Sequence, residues 1–126
     1  MIKKIESKFA PKAIGAYNQA IKYGNIVFTS GQIGLTTDGE IVPGNIEEQT
    51  HQVMKNISYI LEASGTSLKQ VIKTTCFIND MNNFQRFDAV YSLYFSNILP
   101  ARSCVEVSQL PKKVLVEIEV IAAIDI

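Results

Sequence analysis

The most informative segment for the fold is residues 100–107, where the sequence reads Pro100-Ala101-Arg102-Ser103-Cys104-Val105-Glu106-Val107 and predicts a strand. A second strand is predicted just downstream, where it reads Leu115-Val116-Glu117-Ile118-Glu119. An ionised side chain on an otherwise apolar strand must be paired, solvated in a cleft or used on a ligand, because burying it alone is costly. Arg102 is one of only two arginines in the chain. Its planar guanidinium matches a carboxylate through two hydrogen bonds, so we expect Arg102 to bind one.

These two strands are expected to form an antiparallel hairpin. A simple connection would place Cys104 opposite Glu117 and Arg102 opposite Glu119. Because side chains alternate along a strand, one face would then gather Arg102, Cys104 and at least one carboxylate. A cross-strand salt bridge on a solvated face is an equally open interpretation of this pattern, and a β-bulge would shift the register.

Turn residues and hydrophobic periodicity predict the remaining elements. The expected strands span 2–5, 20–22, 26–29, 71–78, about 101–107 and about 114–124. One helix begins at Asn45, with Glu48 completing a capping box, and ends at Gly65. A second helix begins at Asn82 or Asn83 and stops before Pro100. It carries a stripe of aromatic residues: Phe84, Phe87, Tyr91, Tyr94 and Phe95.

This order of elements predicts a single α+β domain over residues 1–126, with a mixed sheet and two helices packed on one face. The last strand is apolar on both of its faces at 114–116 and 120–124, which is typical of a strand buried on both sides. Two helices cover only one face of such a sheet. We therefore expect another copy of the chain to cover the other face.

Composition restricts the class of protein. The chain of 126 residues carries 12 basic and 12 acidic side chains, so no net charge attracts nucleic acid or an anionic membrane. A single histidine and two cysteines, Cys76 and Cys104, make no metal or redox motif. The first residues lack the apolar run of a signal peptide, and no stretch is long and apolar enough to span a bilayer. We expect a cytoplasmic protein with no metal site, in which Cys76 belongs to the core.

The chain resembles the RidA family (reactive intermediate deaminase A, also called YjgF), and the similarity runs nearly end to end. Its segments follow the order seen in the family: Ala10-Pro11 with Ala13-Ile14-Gly15-Ala16-Tyr17; Thr29-Ser30-Gly31-Gln32-Ile33; Val71-Ile72-Lys73-Thr74-Thr75; and Pro100 to Val107, followed by Leu110-Pro111 and Val116-Glu117-Ile118-Glu119. The last group of segments is the most specific to the family.

The resemblance implies a chorismate-mutase-like α+β fold that assembles as a homotrimer with three ligand clefts between subunits. It implies a 2-iminobutanoate/2-iminopropanoate deaminase, which hydrolyses enamine and imine intermediates such as 2-aminoacrylate to 2-keto acids and ammonia. No cofactor is implied. The implied partners are a small 2-imino or 2-enamino acid and further copies of the chain, with no nucleic acid and no membrane.

The resemblance also implies roles for individual residues. Arg102 grips the substrate carboxylate, helped by backbone amides that include that of Cys104, and Glu117 positions or activates water. The substrate pocket is further lined by Tyr17, Ser30 and Gly31. Asp88 occupies a helix position where relatives often carry Asn, so we assign it no ligand role.

Other roles stay open for several of these residues. Cys104 could be a nucleophile activated by Arg102, although a small residue of the pocket wall is favoured. Glu106 and Glu119 are favoured as structural partners or rim charges. The whole site could serve a regulatory module that binds keto acids or amino acids without turnover. An endoribonuclease or translation inhibitor is disfavoured, because a neutral chain provides little cationic surface for RNA.

Overall fold

The computed structural model describes residues 1–125, which form a seven-stranded mixed sheet and two α-helices. The elements are β1 (Ile2–Ile5), β2 (Ala20–Tyr23), β3 (Ile26–Thr29), β4 (Gln32–Ile33), α1 (Ile46–Ala63), β5 (Val71–Ile78), α2 (Phe84–Ser92), β6 (Ala101–Glu106) and β7 (Val116–Ala123). The sheet order is β1-β2-β3-β7-β5-β6, with β4 paired to β7, so the predicted α+β class is confirmed. Within the described residues, neither helix is long and apolar enough to cross a membrane. The predicted domain also includes Ile126, which lies outside the described residues.

Local sequence signals account for the first helix and the first hairpin. α1 begins after Asn45, whose backbone N–H donates to Glu48 Oε1 at 2.6 Å, and it ends before Gly65, which has a φ of +87°. β2 and β3 form an antiparallel hairpin through Gly24, which has a φ of +61°. The predictions for these elements are confirmed.

The second helix ends earlier than the sequence indicates. Its aromatic stripe predicts a helix that stops before Pro100, whereas α2 ends at Ser92. The backbone N–H groups of Tyr94 and Phe95 then bond to the carbonyls three residues back, at 3.2 and 3.3 Å, which is the tighter 3-10 pattern. Phe95 still reaches the core from this turn.

One face of the sheet is covered by both helices and holds the hydrophobic core. Side chains of β5 and β7 alternate along each strand, and Cys76, Ile78, Val116 and Ile118 are fully buried on this face. Phe87 of α2 is also fully buried there. Burial of each Val, Ile or Phe side chain here contributes about 1.5–3 kcal/mol, so this face supplies the main apolar contribution to stability.

The predicted hairpin between the last two strands is wrong. β5 lies between them, pairing in parallel with β6, where Thr74 is opposite Arg102. β5 pairs antiparallel with β7, where Phe77 is opposite Glu117. A parallel pair requires a crossover, which α2 provides between β5 and β6. Residues 107–115 then carry the chain past the end of β5 to reach β7, in place of a tight turn.

This strand order places Arg102 and Glu117 on opposite faces of the sheet. Thr74, opposite Arg102, is fully buried against the helices, whereas Phe77, opposite Glu117, points to the other side. The predicted face shared by Arg102 and a glutamate of the last strand therefore does not exist within one chain.

The second face of the sheet is open in the single chain. Phe28 of β3 and Val105 of β6 lie on this face and are 46% and 47% exposed. Exposed large apolar side chains on a sheet face favour burial of that face against another protein surface.

Candidate active site

A cavity of about 440 Å³ lies between the loop that precedes β2, the chain around β4 and the start of β7. Four residues predicted for the site line it, and we call them the cavity group: Tyr17, Ser30, Gly31 and Glu117. Lys12 and Lys112 also line it, together with apolar side chains. A cavity of this size accommodates a small molecule, and its polar groups can orient one.

A buried glutamine fixes the loop that forms one wall of the cavity. The Gln19 side-chain amide donates to the Pro11 carbonyl at 2.8 Å and to the Ser7 carbonyl at 3.2 Å. Its Oε1 accepts from the Ser7 backbone N–H at 2.6 Å. These three bonds join segments 8 to 12 residues apart, so the loop has a defined shape. The sequence reasoning missed Gln19, because no local pattern marks a glutamine whose partners lie in another segment.

Two hydroxyls of the cavity group also bond to this loop. The Tyr17 hydroxyl accepts from the Ile14 backbone N–H at 3.2 Å. The Ser30 hydroxyl donates to the Asn18 carbonyl at 2.6 Å. Tyr17 is exposed, yet both hydroxyls have protein partners that hold them at the cavity wall.

Glu117 is the only acidic side chain that lines the cavity among residues 1–125. It is half-buried, and within this described part of the chain its carboxylate has no side-chain or backbone donor at hydrogen-bond distance. A Cβ atom added at Gly31 would lie 2.8 Å from the Glu117 carboxyl carbon, so only glycine admits the carboxylate at this place. Burial raises the pKa of Glu117, and the negative charge of Glu119 raises it further.

Arg102 lies on the helix-covered side, at the edge of the sheet. Its Nη1 donates to Asp88 Oδ1 at 2.5 Å, and its guanidinium carbon lies 4.8 Å from the Tyr91 ring centre and 5.3 Å from that of Phe84. The rings restrict the guanidinium through cation–π contact, while Asp88 neutralises part of its charge. The carboxylate beside Arg102 thus comes from α2, and not from the last strand as predicted.

Cys104 shares the face and the strand of Arg102. It lies directly opposite Cys76 of β5 and is half-buried. Burial raises the pKa of the Cys104 thiol, which disfavours the thiolate that a nucleophile needs. These features support a wall residue rather than a nucleophile. We call Arg102, Cys104 and Asp88 the edge group.

The six predicted site residues therefore fall into two sets. Tyr17, Ser30, Gly31 and Glu117 meet at the cavity, whereas Arg102 and Cys104 lie on the other side of the sheet.

The sequence reasoning assigned no role to Asp88. It shares one helical face with Phe84 and Tyr91, four residues before it and three after it. An acidic residue in an aromatic stripe could have indicated a buried cation beside it.

Across residues 1–125, no group of three or more His, Cys, Asp or Glu side chains is placed to hold a metal ion.

Known proteins share both the sequence and the fold. The chain matches the family model described as Endoribonuclease L-PSP over residues 7–124. It is 56% identical to a RutC family protein of Pyrococcus horikoshii over 114 residues, which cover 90% of each chain. The Rid family protein YyfA of Yersinia pestis has a TM-score of 0.95 and 49% identity, covering 98% of this chain and 100% of that one. The structure of E. coli TdcF with bound serine has a TM-score of 0.93 and 42% identity, covering 98% and 99%. The chain therefore belongs to the Endoribonuclease L-PSP family, which comprises the YjgF, RutC and RidA proteins.

Proposed function

We propose that this protein is a cofactor-independent deaminase that hydrolyses small 2-imino acids, formed from enamines such as 2-aminoacrylate, to 2-keto acids and ammonia. One observation carries the proposal. The Glu117 carboxylate is half-buried at a small cavity, has no donor of its own within residues 1–125, and has a raised pKa. Such a carboxylate is suited to exchange protons with water and with a substrate nitrogen.

The proposal requires two copies of the chain at each site. Arg102 and Glu117 lie on opposite faces of one sheet, so a substrate that touches both needs Arg102 from one subunit and Glu117 from another. β6 is an edge strand, which leaves Arg102 where a neighbour can approach. Exposed Phe28 and Val105 support contact between copies through the open face. We propose the homotrimer that the RidA resemblance implies, with three such sites.

The first half of the reaction adds water to the imine. The enamine tautomerises to a 2-imino acid, and protonation of its nitrogen makes C2 electrophilic. Arg102 holds the substrate carboxylate through two hydrogen bonds, which fixes C2 beside Glu117 of the neighbouring subunit. Glu117 takes a proton from water as the oxygen bonds to C2, and the C=N electron pair moves to nitrogen.

The second half expels ammonia. Glu117, now protonated, gives its proton to the nitrogen of the carbinolamine, and the C–N bond breaks with its electron pair on nitrogen. The hydroxyl oxygen forms the C=O bond and loses its proton to Glu117 or to water. Ammonia takes up this proton, so one imine cation and one water become a 2-keto acid and an ammonium ion, with Glu117 ionised again and no change of oxidation state.

A ribonuclease is the second candidate, because the family description names one. RNA binding needs several cationic side chains along a surface. The chain has equal numbers of acidic and basic residues, and Lys12 and Lys112 are the cations at the cavity within residues 1–125. The serine bound to E. coli TdcF is a small 2-substituted carboxylate, which supports a ligand of amino-acid size.

A coupled assay tests the proposal. A pyridoxal-phosphate dehydratase turning over serine releases 2-aminoacrylate, and we expect the wild-type protein to accelerate pyruvate release beyond the rate of spontaneous hydrolysis. Glu117→Gln should lower this acceleration about 10²–10⁴-fold, the usual contribution of a general acid or base. It should not lower the melting temperature, because it removes a half-buried charge.

The sensor alternative has a distinct result in the same experiment. If wild type binds serine or pyruvate but neither wild type nor Glu117→Gln changes the rate of pyruvate release, the protein is a ligand-binding module and the deaminase proposal is wrong.

A further inference from the structure

The two arginines of the chain contact their carboxylates differently. Arg86 binds Glu47 through two parallel bonds, Nε to Oε2 at 2.7 Å and Nη2 to Oε1 at 2.8 Å. Arg102 binds Asp88 through Nη1 and Oδ1 alone. In the first pair, two N–H groups of the guanidinium bond to the two oxygens of the carboxylate, as is common in structural pairs. In the second pair, only one guanidinium nitrogen and one carboxylate oxygen are bonded.

Both partners of the Arg102–Asp88 pair therefore retain polar atoms that are available to hydrogen-bond a ligand. Within residues 1–125, Nε and Nη2 of Arg102 and Oδ2 of Asp88 have no protein hydrogen-bond partner. The Asp88 side chain is 41% exposed and that of Arg102 is 25% exposed, so a small ligand can reach both. Tyr91 and Phe84 hold the guanidinium in place, so a ligand meets the donors and the acceptor of one restrained ion pair.

A carboxylate with a cationic nitrogen on its 2-carbon matches this pair. Its anion can bind the free N–H groups of Arg102, and its N–H can donate to the free oxygen of Asp88. A 2-keto acid has a carbonyl oxygen in place of that nitrogen, and this oxygen would bring lone pairs toward the Asp88 carboxylate. We propose that Asp88 is a specificity-determining residue that makes the site prefer 2-iminio and 2-ammonio carboxylates over 2-keto acids.

This inference rests on the proposed function and extends it to discrimination between substrate and product. Hydrolysis replaces the cationic nitrogen with a neutral oxygen. The same Asp88 that stabilises the bound substrate therefore repels the product and promotes its release. The expected consequence is weak inhibition by 2-keto acids.

Calorimetric titration with L-serine and with pyruvate tests the inference on the wild-type protein and on Asp88→Asn. Asp88→Asn should bind pyruvate more tightly and serine no more tightly, so that the ratio of their dissociation constants shifts at least tenfold toward pyruvate. A factor of this size corresponds to one hydrogen bond with a charged partner. Asp88→Glu should keep the preference for serine. Glu47→Gln is the matched control, because it replaces an acid by its amide in the Arg86 pair. It should leave the ratio of the two dissociation constants unchanged.

The outcomes separate this inference from the proposed function. Equal tightening of both ligands, or an unchanged ratio, would mean that Asp88 only competes for Arg102, and the inference would be wrong. Arg102→Ala should abolish binding of both ligands. If either ligand still binds, the assignment of Arg102 as the group that binds the substrate carboxylate is wrong, and the proposed function fails with it. Asp88→Ser removes the same charge and replaces Asp88→Asn if that variant does not fold.

Discussion

The cavity group and the edge group differ in position and in chemistry. The cavity group lies beside a loop fixed by Gln19 and holds a carboxylate with a raised pKa. The edge group lies on the helix-covered face and holds a guanidinium against two aromatic rings. The cavity group offers a carboxylate suited to proton exchange, and the edge group offers a guanidinium suited to binding an anion.

The separation has a geometric cause. Side chains of neighbouring strands in register alternate between the two faces of the sheet, so Arg102 and Glu117 cannot turn toward each other within one chain. A site that contains both groups is complete only when two copies meet.

The largest expected effect comes from removing the cation of the edge group. Arg102→Ala should lower the acceleration of pyruvate release at least about 100-fold, because the substrate carboxylate loses two charge-assisted hydrogen bonds worth about 1.5–3 kcal/mol each. Light scattering should show the assembly unchanged. Arg86→Ala, which removes the exposed pair with Glu47, should keep full activity. Wild-type activity in Arg102→Ala would contradict the assignment of the edge group.

A smaller and more specific effect is expected when inactive subunits are mixed. Arg102→Ala retains the cavity group, and Glu117→Gln retains the edge group. After denaturation and joint refolding of equal amounts, about one quarter of the interfaces in random trimers should combine both intact groups, with about one quarter of wild-type activity. Each variant refolded alone provides the control. Mixtures that stay as inactive as the separate variants would show that the two groups do not meet across subunits.

The smallest expected effect concerns the electrostatics of the cavity group. Burial is the first cause of the raised pKa of Glu117, and Glu119 adds to it. Glu119→Gln removes that negative charge, so the pKa of Glu117 should fall and its ionised form should persist at lower pH. The acidic limb of the pH profile of kcat/KM should move to lower pH. As a control, Glu62→Gln removes an exposed negative charge on α1 and should leave the pH profile unchanged. A shift to higher pH in Glu119→Gln would contradict this account.

Local elements of this fold could be predicted from the sequence. The capping box at Asn45 and Glu48 identifies the start of α1, and the turn at Gly24 identifies the β2–β3 hairpin. Each of these features depends on residues within one or two turns of chain, where backbone preference and short hydrogen bonds dominate. The family could also be predicted, from segments of fixed sequence such as Pro100 to Val107.

Strand order could not be predicted in the same way. Residues 101–107 and 114–124 are close in sequence, which favours a hairpin, yet β5 lies between them. Pairing between β5 and β6 joins residues almost thirty positions apart, such as Thr74 and Arg102, and depends on how α2 packs against the sheet. The partner of Arg102 was missed for the same reason, because Asp88 reaches it only through the packing of α2.

The sequence by itself determined where α1 and most of the strands lie, which side chains carry charge, and which family the chain resembles. Those properties follow from local backbone preference and from residue identity. Only the tertiary structure decided which face each charged side chain occupies, because strand order depends on contacts between distant segments. Glu117 consequently lies at the cavity and Arg102 at the opposite edge, paired with Asp88. The alternation of side chains across the sheet keeps the two apart.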